Sequence, residues 1–194
     1  MGKEFEVKFG LKEAQACQLL AYLNTEACGT LHMQTTYYDT KDGALSARRI
    51  TLRKRMENGC PVCTVKTPMT GLGRGEWETG CDDISAAVPE LVRLGAPEEI
   101  EELAEPGLVP ICGARFTRIC RMISCCDAQM ELALDRGVLT GGNREAPLLE
   151  FEMELKSGTE ENALAAAEIF RQRFGLEPEP LSKFRRALDL AKGE

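Results

Sequence analysis

Glu4-Phe5-Glu6-Val7-Lys8 places two carboxylates and an ammonium at alternate positions. In an extended chain these three side chains share one face, and Phe5 and Val7 take the other. Far along the chain, Glu150, Glu152, Glu154 and Lys156 repeat the pattern, interleaved with Phe151, Met153 and Leu155. Residues 49–55 invert the charge: Arg49, Thr51, Arg53 and Arg55 alternate with Ile50 and Leu52. Thr64 and Lys66, then Arg74, Glu76 and Glu78, then Glu131 and Asp135, fall on further polar faces. Clustered carboxylates attract a divalent cation of the Mg2+ or Mn2+ type, which takes oxygen ligands. Clustered arginine and lysine attract phosphate. Both together suit a metal–polyphosphate complex.

Such residues work together only if distant strands converge. Strict alternation predicts strands over 4–9, 47–56, 61–68, 74–80, 116–124, 129–135 and 148–156, with a β-prone stretch at 35–39. Asn58-Gly59 marks a hairpin; Lys41-Asp42-Gly43, Arg136-Gly137 and Gly141-Gly142-Asn143 read as turns. Gly71 and Gly73 break the chain before Arg74. Apolar periodicity predicts helices over 11–23, 84–103 with breaks at Pro89 and Pro97, 159–174 and 182–192. Thr159 and Gly175 serve as N-cap and stop of the third.

The polar faces could be the wet side of a half-exposed antiparallel sheet. Two features favour a closed barrel with a charged lumen. Charge is segregated by strand, with 49–55 basic and 150–154 acidic, and little Ser or Gln dilutes it. Like charges packed in a lumen require counter-ions. The apolar faces would then point outward and be wrapped by the amphipathic helices.

The 194 residues fit a single α+β domain spanning 1–194. A net charge of −7 argues against nucleic acid or an anionic membrane as partner. No apolar run is long enough to span a bilayer and no signal-peptide pattern opens the chain, so a cytoplasmic location is expected. The nine scattered cysteines then read as reduced thiols. Cys60 and Cys63 have CxxC spacing but lack a second pair, and His32 is the sole histidine, too far from the motifs to be a base. Lys54 should snorkel outward, Lys156 cap its strand, Asp39 form a turn, and Tyr37, Tyr38 and Trp77 serve as wall residues. Arg48, Arg49, Arg185 and Arg186 read as surface or helix charges.

The ordered set of motifs resembles the CYTH domain, also called the triphosphate tunnel metalloenzyme fold. Glu4-Phe5-Glu6-Val7-Lys8 is similar to its ExExK signature. The resemblance continues through Tyr38-Asp39-Thr40, Leu52-Arg53-Lys54-Arg55, Thr64-Val65-Lys66, Arg74-Gly75-Glu76-Trp77-Glu78, Arg118, Glu131 to Gly137, Glu150 to Lys156, and Ser182-Lys183. It implies an eight-stranded antiparallel closed β-barrel, a tunnel with helices packed outside. It resembles most the bacterial inorganic triphosphatase branch, in which a helical CHAD domain often follows; none lies within these residues. By resemblance and parity, Lys8, Arg53, Arg55, Lys66, Arg74, Arg118 and Lys183 grip a triphosphate. Glu4, Glu6, Glu150 and Glu152 hold Mg2+ or Mn2+, with Glu154 toward the tunnel end. Glu76, Glu78, Glu131 and Asp135 are further metal or water-orienting candidates, and Glu4, Glu6, Lys8, Glu76 and Glu78 are the catalytic set. Thiamine triphosphatase, nucleoside triphosphatase or adenylyl cyclase activity, and a non-catalytic polyphosphate-binding module, are the alternatives. A monomer or homodimer acting on a small-molecule triphosphate is expected.

Overall fold

The structure, a computed structural model, describes residues 2–25, 27–68 and 74–193. The glycine break at 71 and 73 lies outside the described residues. The first charged segment forms β1 (Gly2–Glu4) and β2 (Glu6–Gly10), and α1 (Glu13–Leu23) follows. Next come β3 (Gly29–Asp39), α2 (Ala44–Ala47), β4 (Thr51–Glu57), β5 (Cys60–Pro68) and β6 (Arg74–Thr79). Then α3 (Ile84–Arg93) and α4 (Glu99–Ala104) lead to three long strands, β7 (Val109–Cys125), β8 (Ala128–Gly141) and β9 (Arg144–Ser157). The chain finishes with α5 (Glu160–Phe174), β10 (Glu177–Pro178) and α6 (Lys183–Lys192).

All pairings are antiparallel, in the order β1-β6-β5-β4-β3-β7-β8-β9-β2-β10. β1 and β2 stand at opposite ends of that order, yet only Phe5 separates them in the chain. The segment pairs with β6 through Glu4↔Arg74 and with β9 through Glu6↔Glu154 and Lys8↔Glu152. The Phe5 carbonyl accepts a 2.9 Å hydrogen bond from the Leu155 amide. Counting β1 and β2 as one kinked strand and β10 as a short appendage, the sheet is an eight-stranded ring. Closure removes sheet edges and turns alternation into an inside and an outside.

The outside is apolar, as parity predicts. Phe5, Phe9, Leu132, Leu134, Phe151 and Met153 pack under α1 and α5 through Ala16, Leu19, Leu23, Ala163 and Phe170. On the opposite wall, Ile50, Leu52, Val65 and Trp77 pack under α3 and α4 through Ala87, Val88, Leu91 and Ile100. The last helix departs from the expected arrangement. α6 packs with Met33, Tyr37, Ala114, Phe116, Leu139 and Leu148, side chains of lumen parity. It therefore stops one end of the barrel from within. Gly141 permits this approach: a Cβ there would lie 2.5 Å from the Ala187 carbonyl oxygen.

Three local readings are corrected. Pro89 does not break its helix, since α3 runs through it from Ile84 to Arg93. Arg136-Gly137 is no turn but the middle of β8, which runs twice the predicted length. Glycine is required because a Cβ at Gly137 would come 2.0 Å from the Arg115 carbonyl oxygen of the neighbouring strand. Residues 47–50 are not extended either. The Asp39 carboxylate accepts from the amides of Thr40, Leu45 and Ser46, which seeds α2 and defers β4 to Thr51.

Candidate functional site: a charged barrel lumen

Inside the ring lies a cavity of about 880 Å³. Glu4, Glu6, Glu76, Glu78, Glu131, Glu152 and Glu154 line it, as do Lys8, Arg53, Arg55, Lys66, Arg74, Arg118 and Lys183. Strands from both halves of the chain thus deliver nearly every predicted site residue to one space. Alternation determines which side chains enter, and antiparallel register determines which meet. Lys66↔Glu76 and Thr64↔Glu78 are cross-strand pairs, for example, and the Thr64 hydroxyl donates to Glu78 at 2.8 Å.

The cations fall into two groups. Around β4, β5 and β6 the pairing is uneven, close for Arg55–Glu57 and Lys66–Glu4 and long for Arg53. Arg53 stands 3.6 Å from Glu76 and 3.8 Å from Glu78; Arg55 is 3.8 Å from Glu78 and also contacts Glu57. Lys66 pairs with Glu4 and, at 3.2 Å, with Glu76. Among the described residues Arg74 is held by neutral acceptors: its Nη2 donates to the carbonyls of Arg49 (3.1 Å) and Lys66 (3.2 Å) and to Thr51 Oγ1 (3.3 Å). The Nε of Arg53 and of Arg55 is buried without an acceptor among the described residues. An anion seated here would satisfy donors that the protein itself leaves unmet.

The second group is neutralised internally. The Lys183 ammonium lies 2.8 Å from Asp135, 2.5 Å from Glu150 and 2.6 Å from Glu152. Arg118 grips Asp135 through two hydrogen bonds (2.8 and 2.7 Å) and also reaches Glu152. Arg186 contacts Glu150. Oxygens of Asp135, Glu150 and Glu152 lie within 4.8 Å of one another, a spacing that suits a cation. Here the Lys183 ammonium takes that role. Burial pushes Glu150 up to about 7, with Glu152 adding to the rise and Lys183 opposing it. Burial also acts upward on Glu152, but Lys183 and Arg118 hold it well below the usual carboxylate range.

Toward the other end, Glu4, Glu6, Glu152 and Glu154 face the cavity. Burial raises the Glu6 pKa, and the negative charges of Glu152 and Glu4 raise it further. Lys8 is 3.6 Å from Glu6. Burial raises Glu154 as well, although Lys156 at 2.8 Å opposes the rise. These carboxylates feel one another's charge, and by donor chemistry such a set suits a divalent cation, which would relieve the repulsion that burial amplifies. Among the described residues, oxygens of three carboxylates come within 4.8 Å of one another only at Asp135, Glu150 and Glu152. Among the predicted ligands, Glu150 and Asp135 do not line the cavity; both are fully buried beneath α6. Glu154 does line it.

Several participants went unread. Arg186 is a partner of buried Glu150 rather than a surface charge; its spacing of three from Lys183 on one helix was the available signal. Lys156 lines the cavity between Glu154 and Glu131 (3.9 Å) instead of only capping β9, and its parity with Glu154 pointed there. Glu57 shares the parity of Arg53 and Arg55 and lines the same wall. The wall residue Tyr37 is buried against Phe184, ring centroids 5.0 Å apart. Lys54 snorkels out to Asp82 as expected, at 3.1 Å. Exposed His32 is not among the cavity-lining residues. Cys60 is exposed and Cys63 buried, so their thiols diverge, and burial lifts Cys63 to about 11. Among the described residues, no helix is long and apolar enough to cross a membrane.

Comparison with known proteins converges on the same fold. An inorganic triphosphatase of Haemophilus influenzae is 30% identical over 165 residues, covering 81% of this chain and 46% of that protein. The chain thus spans about half the length of this curated relative. A Hippeastrum protein described as a candidate adenylyl cyclase with a dominant triphosphatase activity aligns with a TM-score of 0.71 at 19% identity. That alignment covers 100% of this chain and 97% of the other. A Bacillus halodurans protein described as a candidate adenylate cyclase aligns at 0.63 and 20% identity, over 94% and 96% of the two chains. These two structural likenesses establish the fold alone. The family profile described as "CYTH domain" matches residues 2–188, and the chain belongs to the CYTH domain family.

Proposed function

We propose that this chain hydrolyses inorganic triphosphate to diphosphate and phosphate, with Mg2+ or Mn2+ held in the lumen. One observation carries the reading: cations whose Arg53 and Arg55 Nε donors lack acceptors among the described residues share one cavity with carboxylates, Glu6 foremost, that burial and neighbouring negative charge push up. A linear triphosphate carries about four to five negative charges, and a cavity of this kind offers compensation along its whole length. The kinship with an inorganic triphosphatase of H. influenzae supports the same substrate class.

In this reading Arg53, Arg55, Lys66 and Arg74 bind the phosphate oxygens, the arginines by paired N–H donors and Lys66 as a point charge. Glu4, Glu6, Glu152 and Glu154 hold the divalent ion. When bound, such an ion neutralises phosphate oxygens and acidifies water for attack. Glu76 and Glu78 hold Arg53 and Arg55 at distances that a phosphate can displace, and either carboxylate can orient the incoming water. Lys8 stands beside Glu6 to stabilise charge on the departing diphosphate. Water adds to the terminal phosphorus, the bridging P–O bond breaks, and its electron pair leaves with diphosphate. Positioning and charge compensation supply the rate. Arg118 and Lys183, expected to grip phosphate, act instead through Glu152, keeping that ligand ionised and fixed. The substrate is a small dissolved anion, consistent with a cytoplasmic monomer or homodimer.

The test is a substrate panel of tripolyphosphate, thiamine triphosphate and ATP, each with Mg2+ and with Mn2+. Phosphate release fastest from tripolyphosphate is expected. Faster release from either organic ester overturns the substrate assignment. Tight binding of tripolyphosphate without release under any divalent ion makes the lumen a binding module.

A further inference from the structure

Arg49 was expected to be a surface charge, and it is exposed, yet it also lines the cavity. A side chain that is both lies at the mouth. Its backbone is unusual: φ is +61°, in the left-handed region that branched or bulky residues avoid. Hydrogen bonds on both sides pin that conformation, from the Arg49 amide to the Ser46 carbonyl (2.9 Å) and from the Ile50 amide to the Leu45 carbonyl (3.0 Å). Ile50 is buried in the outer core, which anchors the turn from behind. The Arg49 carbonyl meanwhile accepts from Arg74, tying this turn to a lumen cation.

Asparagine or glycine would satisfy such a backbone with less strain. Arginine here calls for a use of the side chain. Among the described residues, no carboxylate lies within ion-pair distance of its guanidinium. Its charge does reach inward: burial lowers the Arg74 pKa, Glu4 and Glu6 oppose this, and Arg49 adds to the lowering. Two guanidiniums thus line one cavity, and among the described residues neither has an ion pair. That arrangement is unfavourable until an anion bridges them.

We propose that Arg49 is a substrate-binding residue at the mouth of the lumen, which draws in the anionic chain and binds its outermost phosphate together with Arg74. This rests on the triphosphatase reading and deepens it. A cation at the mouth selects a linear inorganic chain, whose end is charged, over an ester whose end there is an uncharged organic group. Being solvent-exposed, it also acts on encounter, and that contribution weakens as salt screens it.

The test compares wild type with Arg49→Gly, Arg49→Asn and Arg49→Lys. Glycine and asparagine suit the backbone and remove the charge; lysine keeps the charge. Steady-state kinetics with tripolyphosphate and calorimetric binding of tripolyphosphate are both measured, at low and high ionic strength. Arg49→Gly and Arg49→Asn are expected to raise KM and Kd about tenfold, as loss of one charged hydrogen-bonding contact does, with kcat little changed. The difference should shrink at high salt, and Arg49→Lys should retain most of the affinity. Thermal stability should hold or rise in Arg49→Gly, which a purely structural role would not produce. Unchanged KM and Kd in Arg49→Gly or Arg49→Asn, or a loss insensitive to salt and shared by Arg49→Lys, overturns the proposal. A wild type that neither binds nor cleaves tripolyphosphate instead overturns the reading on which it rests.

Discussion

Replacing Lys183 with methionine removes a charge while keeping most of the volume, and its consequence can be worked from the geometry. At an effective dielectric near 20, opposite unit charges 2.8 Å apart attract by about 6 kcal/mol, and like charges 4.8 Å apart repel by about 3.5 kcal/mol. Lys183 makes three such attractions, which offset the desolvation of all four groups. Without it, Asp135, Glu150 and Glu152 are left, among the described residues, with Arg118 and Arg186. Breaking a buried ionic cluster in this way costs about 3–5 kcal/mol. For a chain of this size that lowers Tm by roughly 6–20 °C. The loss carries a pH signature. Burial already holds Glu150 up at about 7 with Lys183 opposing, so removing Lys183 raises it further. A carboxylate whose folded pKa lies above its unfolded value favours the folded state at low pH, and that contribution disappears as pH rises through the folded pKa. The destabilisation of Lys183→Met should therefore be smaller near pH 5 than near pH 8. Because three carboxylate oxygens remain at cation spacing, added Mn2+ should restore part of the lost stability at pH 8. Thermal melts of both proteins across that range, with and without Mn2+, test the reasoning. A Lys183→Met protein as stable as wild type at pH 8, or equally weakened at pH 5 and pH 8, refutes it.

Other perturbations probe the lumen and its walls. Glu6→Gln should abolish phosphate release yet raise the metal-free Tm at neutral pH, since it removes a charge that burial, Glu152 and Glu4 all disfavour; a lowered Tm would contradict this. Because the Glu6 pKa is raised, metal binding should release protons and strengthen with pH, seen as a larger Mg2+-induced Tm shift at pH 8 than at pH 5. EDTA should eliminate turnover, and Mg2+ or Mn2+ should restore it, as phosphate assays report. Arg74→Ala should lower kcat/KM for tripolyphosphate by about a hundredfold, in line with one charge-assisted contact placed at developing charge, without a comparable Tm loss. Gly137→Ala should cost several kcal/mol or prevent folding, on the order of the worst overpacking changes, because its Cβ would meet the Arg115 carbonyl oxygen; a near-native melt would show that β7 and β8 can separate there.

Alternation made the lumen legible. Parity alone assigned Glu4, Glu6, Lys8, Arg53, Arg55, Lys66, Glu76, Glu78, Glu131, Glu152 and Glu154 to one interior, and all of them line the cavity. What parity cannot give is position along the barrel axis, which depends on register and on which end is stopped. Glu150 and Glu154 look alike in sequence, flanking Glu152 at equal spacing. The structure separates them only because α6 enters at one end and covers Glu150. For the same reason Lys183 and Arg118 could be recognised as lumen cations but not as internal counter-ions. Gly137 reads locally as a turn residue; its actual constraint comes from a neighbouring strand. Arg49 shares the parity of Arg53 and Arg55 and does line the cavity, but its left-handed backbone follows from the Asp39 cap on α2, which strand periodicity does not register.

The ring closes through residues 6–10 meeting 150–154, about 145 positions later. At synthesis speeds of about 5–20 residues per second, the first of these strands waits roughly 7–30 s for its partner. Until then β2 lacks its ring neighbour β9, and the charged inner faces lie in solvent without their opposites. Folding of this chain is thus a late, cooperative event of high contact order, slow by topology. Removing a few residues around Phe5 would not trim an end. It would reopen the circle, leaving a curled sheet with two sticky borders.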